Sequence, residues 1–227
     1  MSEHFINLLD ELQRRSLRMA GAVENMLRGA CEAVTRLDGV LAQRIIAQDD
    51  AIDQEEVGIE AEALRLMTLF QPMGTDMRQL CAILKVNSDL ERIADCAVNI
   101  AERARHIDLA AMEEAGDDLK EIYPMAKTML HNAIRAYAVV DKAIAEQVRD
   151  NDDVIDTFYG EFIKKLAART AESPGVMAAR LDVLSIAKNL ERIADHATNI
   201  AEDVIYLATG RIVRHSDPEP RRSGNGI

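Results

Sequence analysis

The sequence predicts an all-α protein: two tandem, internally duplicated three-helix bundles, six long helices in all. Three observations carry that prediction. Hydrophobic residues make up 48% of 227, with Ala, Leu, Ile, Met, Glu, Asp and Arg dominant and only 11 glycines and 5 prolines, a helical composition with enough apolar mass for a sizeable core. Apolar residues recur at helical spacing through most of the chain. One stretch occurs twice: Leu90-Glu91-Arg92-Ile93-Ala94-Asp95-Cys96-Ala97-Val98-Asn99-Ile100-Ala101-Glu102 returns as Leu190 to Glu202, identical at eleven of thirteen positions and 100 residues later. Chance does not give that within one chain.

The first helix is expected over 4–37, with Phe5, Leu8, Leu9, Leu12, Val23, Met26, Leu27, Ala30 and Val34 in register. Asp38-Gly39 breaks it. A second helix over 40–70 carries Leu41, Ile45, Ile52, Ile59 and Leu66 on one face and stops at Gln71-Pro72-Met73-Gly74. Thr75 or Asp76 is placed to cap a third, over about 76–106. The turns are short, so neighbouring helices run antiparallel. Residues 108–115 read as the connection between a first repeat, 1–107, and a second, 116–210. The fourth helix then runs to Val140, with Pro124 near its start or kinking it. The fifth covers 141–171, Ser173-Pro174-Gly175 breaks it, and the sixth covers 176–209 before Gly210. The tail, 211–227, has almost no apolar content and is expected to be disordered.

The duplication reaches beyond the opening stretch. Met26-Leu27, Asp38 and Asp49-Asp50-Ala51-Ile52-Asp53 correspond to Met129-Leu130, Asp141 and Asp152-Asp153-Val154-Ile155-Asp156, each 103 residues on. The change from 103 to 100 places a three-residue deletion between the second and third helices of the second half. Two such units should be related by a pseudo-twofold.

A net charge of −12 and a pI of about 4.9 exclude a basic nucleic-acid-binding face and simple attraction to anionic lipid. They favour cations or basic protein surfaces. The three cysteines, Cys31, Cys81 and Cys96, form no CxxC and read as small buried hydrophobes in a reducing cytosol. The N-terminus has no signal pattern, and no run of about 18 apolar residues occurs.

On a helical wheel Glu91, Asp95, Asn99 and Glu102 fall within about 80° of one another, opposite Ile93, Ala94, Ala97 and Ile100. Glu191, Asp195, Asn199 and Glu202 do the same. Carboxylates at i and i+4 repel unless a cation answers them. Each half also carries an acid-x-x-x-acid pair on its second helix, Asp49/Asp53 and Asp152/Asp156. Four carboxylates converging in each half, with an amide oxygen from Asn99 or Asn199, suit a hard or borderline cation: iron, manganese, magnesium, calcium or zinc. The opposing reading is a solvated acidic face, with Arg92, Arg192 and Arg103 as local partners. Recurrence of the acids favours cation binding, because neighbours taken as surface changed: Ser88 to Lys188, Asp89 to Asn189. His196 stands where the first repeat has Cys96, and both lie off the stripe. No nucleophile–base–acid set, phosphate-cradling glycine loop or Glu-x-x-His pair is present.

The repeated stretch, the acidic pairs of the second and fifth helices, and the closing Val204-Ile205-Tyr206-Leu207-Ala208-Thr209-Gly210 with Arg214-His215 resemble the PhoU family over about residues 3–215. The resemblance implies two similar three-helix bundles. It implies a cytoplasmic, non-enzymatic negative regulator of phosphate uptake, peripheral at the inner face of the membrane. Such a protein links the ATPase subunit of the phosphate ABC transporter to a membrane sensor histidine kinase and damps the phosphate-starvation response; a homodimer belongs to the same expectation. The family's multinuclear iron or zinc would fall on Asp49, Asp53, Glu91, Asp95, Asp152, Asp156, Glu191 and Asp195 here. Cys96 departs from the histidine usual in the family. Two rivals remain from the residues alone: a dinuclear carboxylate-bridged metal enzyme, and a metal-free helical scaffold.

Overall fold

The computed structural model describes residues 2–107, 109–172 and 177–213. Helix α1 (Glu3–Arg36) is capped by Ser2, whose Oγ accepts from the Phe5 N–H at 3.3 Å, and ends at Leu37 in the left-handed region (φ 52°). Asp38 then accepts from the N–H groups of Val40 and Leu41 at 3.0 and 2.9 Å and starts α2 (Gly39–Ile46). After Ala47-Gln48 comes α3 (Asp49–Phe70), then α4 (Thr75–Ala104). The second half repeats these devices. Helix α5 (Leu109–Val139) ends at Val140, again with φ 52°. Asp141 accepts from Ala143 and Ile144 at 2.8 and 3.2 Å to start α6 (Lys142–Asp150). Asn151 precedes α7 (Asp152–Glu172), and α8 (Met177–Thr209) closes the series at Gly210 (φ 75°).

The six expected helices stand, two of them in two pieces: α2 with α3, and α6 with α7. The cause lies in the acidic doublets. Asp49-Asp50 and Asp152-Asp153 occupy the first turns of α3 and α7, where the helix dipole and free N–H groups favour carboxylates. The apolar face continues across each break, with Ala42, Ile45 and Ile52, and Ala145, Val148 and Ile155, all buried. Each pair of pieces therefore packs as one arm of a three-helix unit.

Three local expectations change. Thr75 and Asp76 lie inside α4, and Gly74 (φ 61°) holds the cap position without a side-chain bond. Helix α5 already runs from Leu109, so most of the expected connection, 108–115, is helical, and Pro124 sits well inside α5. The break at Ser173-Pro174-Gly175 and the tail from 214 lie outside the described residues.

Helices α4 and α8 form the central seam. Helices α1 and α3 pack on α4; α5, α6 and α7 pack on α8. Leu90, Ile93, Ala94, Ala97, Ile100 and Ala101, with their six counterparts on α8, are fully or almost fully buried. The alanines let the backbones approach closely. Polar pairs bridge the seam: Lys85 Nζ to Asp203 Oδ1 at 3.0 Å, His196 Nδ1 to Asp89 Oδ1 at 2.9 Å, Arg103 Nη1 to Asp182 Oδ1 at 3.4 Å. As the number rises along α4 it falls along α8, the antiparallel crossing that a twofold through the middle of the repeated stretch demands. Tyr137, fully buried, ties α5 to α1 by donating to Ser16 Oγ at 3.1 Å and Gln13 Oε1 at 3.3 Å. Among the described residues no helix is long and apolar enough to cross a membrane.

Candidate metal centre

In the second half, α7 contributes Asp156 and α8 contributes Glu191 and Asp195. Each offers a carboxylate oxygen, and these oxygens lie within 4.8 Å of one another, the closest such grouping among the described residues. The spacing follows from local structure: Glu191 and Asp195 share one face of α8 a turn apart, and Asp156 sits a turn into α7. Asp152, at the start of α7, accepts from Thr198 Oγ1 at 3.0 Å. Burial raises its carboxyl above the usual range against that bond, helped by Asp156, Asp153 and Glu191. Asp195 is pushed up to about 6, first by burial, then by Glu191, Asp152 and Asp156. Asp156 is raised by burial and by Glu191. Burial and neighbouring acids thus disfavour the charge of Asp152, Asp156 and Asp195, and a cation is what restores it. The oxygen donors, their number and their spacing fit a hard or borderline metal after a small contraction.

In the first half, Asp49 and Asp53 on α3 face Glu91 and Asp95 on α4. Burial raises the Asp49 carboxyl, followed by Asp53, Asp95, Asp50 and Glu102. Its Oδ1 is buried without a hydrogen-bond partner, an orphan that a cation would satisfy. Glu91 is likewise raised by burial and Asp95, with Arg92 opposing. Arg92 lies 3.4 Å from both Glu91 Oε2 and Asp95 Oδ2, from a side chain 54% exposed. These acids are neighbours, but less tightly drawn together than those of the second half.

The two asparagines differ from the acids. Asn199 donates through Nδ2 to Asp89 Oδ1 across the seam at 3.2 Å. Asn99 is half-buried on α4. His196 also turns to Asp89, and the Cys96 thiol is buried and pushed up to about 11 by that burial, so neither points to the acidic faces. Arg103, expected to answer Asn99 and Asp95, instead meets Asp182 on α8.

Several residues that matter here escaped sequence reasoning. Positions 88 and 188 are exposed, as expected of changed surface, yet Lys188 binds both oxygens of Glu191 at 2.7 and 2.8 Å; positions 89 and 189 are largely buried instead, and Asp89 accepts from two residues of α8. Glu56 on α3 adds a carboxylate that bears on Glu91. The differences between repeats were the available signal, since a changed residue beside a conserved stripe changes that stripe's charge. Two apolar clefts, of about 250 Å³ beside Cys31 and Tyr123 and about 360 Å³ beside Pro124 and Met129, are lined by none of these acids.

Fold and site together define a duplicated three-helix-bundle protein with matched acidic motifs in its halves. Known proteins identify the family. The PhoU domain matches residues 16–104 and again 119–204. A phosphate-specific transport system accessory protein PhoU homolog from Burkholderia sp is 34% identical over 222 residues, covering 96% of this chain and 94% of that one. The same-named protein of Caulobacter vibrioides (strain NA1000 / CB15N) is also 34% identical, covering 96% and 97%. The crystal structure of PhoU from Pseudomonas aeruginosa superposes with a TM-score of 0.85 at 33% identity, over 91% of this chain and 100% of that one. That of the phosphate transport system regulatory protein PhoU from Streptococcus pneumoniae gives 0.86 at 28% identity, over 92% and 99%. The chain belongs to the PhoU family.

Proposed function

We propose that this protein is an accessory regulator of a phosphate ABC transporter: it restrains uptake and damps the phosphate-starvation response by connecting the transporter's ATPase subunit to a membrane sensor histidine kinase. The observation that carries the reading is end-to-end similarity to proteins named as phosphate-specific transport system accessory proteins, at about a third identity and with both halves matched. The protein works by binding, in the cytoplasm and at the membrane's inner face, and as a homodimer.

Metal belongs to the same reading. Asp49, Asp53, Glu91 and Asp95 would hold it in the first half, Asp152, Asp156, Glu191 and Asp195 in the second. Metal held there, iron or zinc, would neutralise the carboxylates and supply a Lewis-acidic charge. The chain's own residues supply the rest: the opening turns of α3 and α7 carry one acid pair of each cluster, and α4 or α8 carries the other. What supports the fit is the mutual 4.8 Å spacing of Asp156, Glu191 and Asp195 and the buried, unpartnered Oδ1 of Asp49.

The test is capture of the transporter ATPase subunit and of the kinase's sensory region on the immobilised protein, alongside phosphate uptake in cells lacking it. The expected outcome is capture of both partners, with uptake and starvation transcripts raised in the deleted strain. Failure to capture either partner, with uptake unchanged, contradicts the reading.

A further inference from the structure

The two acidic faces are answered differently by the residues around them, at four matched places. Lys188 Nζ grips both oxygens of Glu191 and lies 5.2 Å from the centre of the Tyr159 ring. The ammonium is thereby held between α7 and α8, and Glu191 itself is 9% exposed. The matched positions in the first half, by the 100- and 103-residue registers, are Ser88 and Glu56. Serine is too short to span to Glu91, and Glu56 adds negative charge where Tyr159 shelters a cation. Arg149 Nε lies 3.5 Å from Glu202 Oε1, and the counterparts of that pair are the apolar Ile46 and Glu102. Thr198 donates to Asp152, and its counterpart Val98 has no donor for Asp49, whose Oδ1 stays unpartnered.

We propose that Lys188 is a built-in cation of the second acidic cluster, competing there with metal, and that the two halves therefore load unequally, the first half first. This rests on the metal-binding reading above. A metal entering among Asp156, Glu191 and Asp195 must break two short charge-assisted bonds to Glu191 and then sit beside a displaced ammonium. A metal entering among Asp49, Asp53, Glu91 and Asp95 meets an orphan oxygen, the additional Glu56 and only Arg92. That arginine, 54% exposed, touches its acids only at 3.4 Å, whereas Lys188, 47% exposed, holds Glu191 at 2.7 and 2.8 Å, so the arginine yields at smaller cost. Arg192 repeats Arg92 in the second half and does not account for the difference. The tight spacing of the second cluster follows too, since its carboxylates are drawn together around a charge already present.

The experiment is calorimetric titration of chelator-stripped protein with zinc chloride, with bound zinc counted by elemental analysis and folding checked by circular dichroism. Wild type should show two classes of site about tenfold or more apart in affinity. Asp95→Asn should remove the tighter class and Asp195→Asn the weaker. Lys188→Ser should bring the weaker class up by about tenfold, and Ser88→Lys, the reciprocal change, should weaken the tighter class by a similar factor. A single class in wild type, a tighter class lost in Asp195→Asn, or affinities indifferent to residues 88 and 188 would overturn the inference while leaving metal binding intact. Zinc retained by neither half would overturn it together with the metal reading.

Discussion

Asp49 and Asp152 hold the same place in their halves: each opens a helix after a break in the arm, behind a cap made by Asp38 or Asp141, and each looks across at a Glu-x-x-x-Asp pair on the seam helix. In the second half Thr198 bonds Asp152, Lys188 bonds Glu191 and Arg149 meets Glu202; the matched positions of the first half hold Val98, Ser88 and Ile46. Backbone geometry, buried seam and acids are held in common, while the groups that balance the acids are not. The duplication thus preserves a framework and frees its electrostatics to differ, because a cation at the rim of a carboxylate cluster changes its charge without disturbing the apolar packing beneath.

The largest effects should fall on what the halves share. Ile93 and Ile193, each fully buried in the seam, should cost about 3 kcal/mol apiece on truncation to alanine, and chemical denaturation should find the two variants within about 1 kcal/mol of each other. A large inequality would break the structural equivalence of the halves. Next come the seam's polar pairs, which are unequal. Asp203 is 2% exposed and bound by Lys85 at 3.0 Å, whereas Arg103 reaches Asp182 at 3.4 Å from a half-exposed position. Lys85→Ala should cost about 2 kcal/mol and Arg103→Ala about 0.5 kcal/mol; equal costs would remove that asymmetry. Asp38→Ala and Asp141→Ala remove matched caps and should each cost about 1 kcal/mol.

The smallest effect is a pH dependence, most marked at Asp195 in the second half. The Asp195 carboxyl is raised from an ordinary value near 3.8 to about 6. A raised carboxyl binds its proton more readily folded than unfolded, so its stabilising contribution is complete below about pH 4 and is lost as pH rises through 6. In metal-free protein, Asp195→Asn should therefore raise Tm at pH 7 more than at pH 5. An offset equal at both values would show that neither burial nor the neighbouring carboxylates hold the Asp195 proton.

The repeat and the long helices were legible in the sequence because both are written in period and identity. The breaks at Ala47-Gln48 and Asn151 were not, since the apolar pattern runs through them from Ile45 to Ile52 and from Val148 to Ile155. Their signature was instead the doublets Asp49-Asp50 and Asp152-Asp153, which belong at helix starts. In the same way, the row Glu91, Asp95 could be placed on one face of a wheel, but its partners come from α3 and from neighbours whose reach depends on three-dimensional packing. Lys188 shows the limit: its i,i+3 spacing to Glu191 is an ordinary helical pairing, yet its place 5.2 Å from the Tyr159 ring needs α7 beside α8.

Crystals of metal-free protein soaked with one equivalent of zinc, with anomalous diffraction recorded at the zinc edge, test the difference between the halves most directly. The expected map has its strongest peak among Asp49, Asp53, Glu91 and Asp95, with the Asp156, Glu191 and Asp195 cluster filling only at excess zinc. A first peak beside Glu191 with Lys188 turned away, or no peak at either cluster at any zinc level, would contradict it.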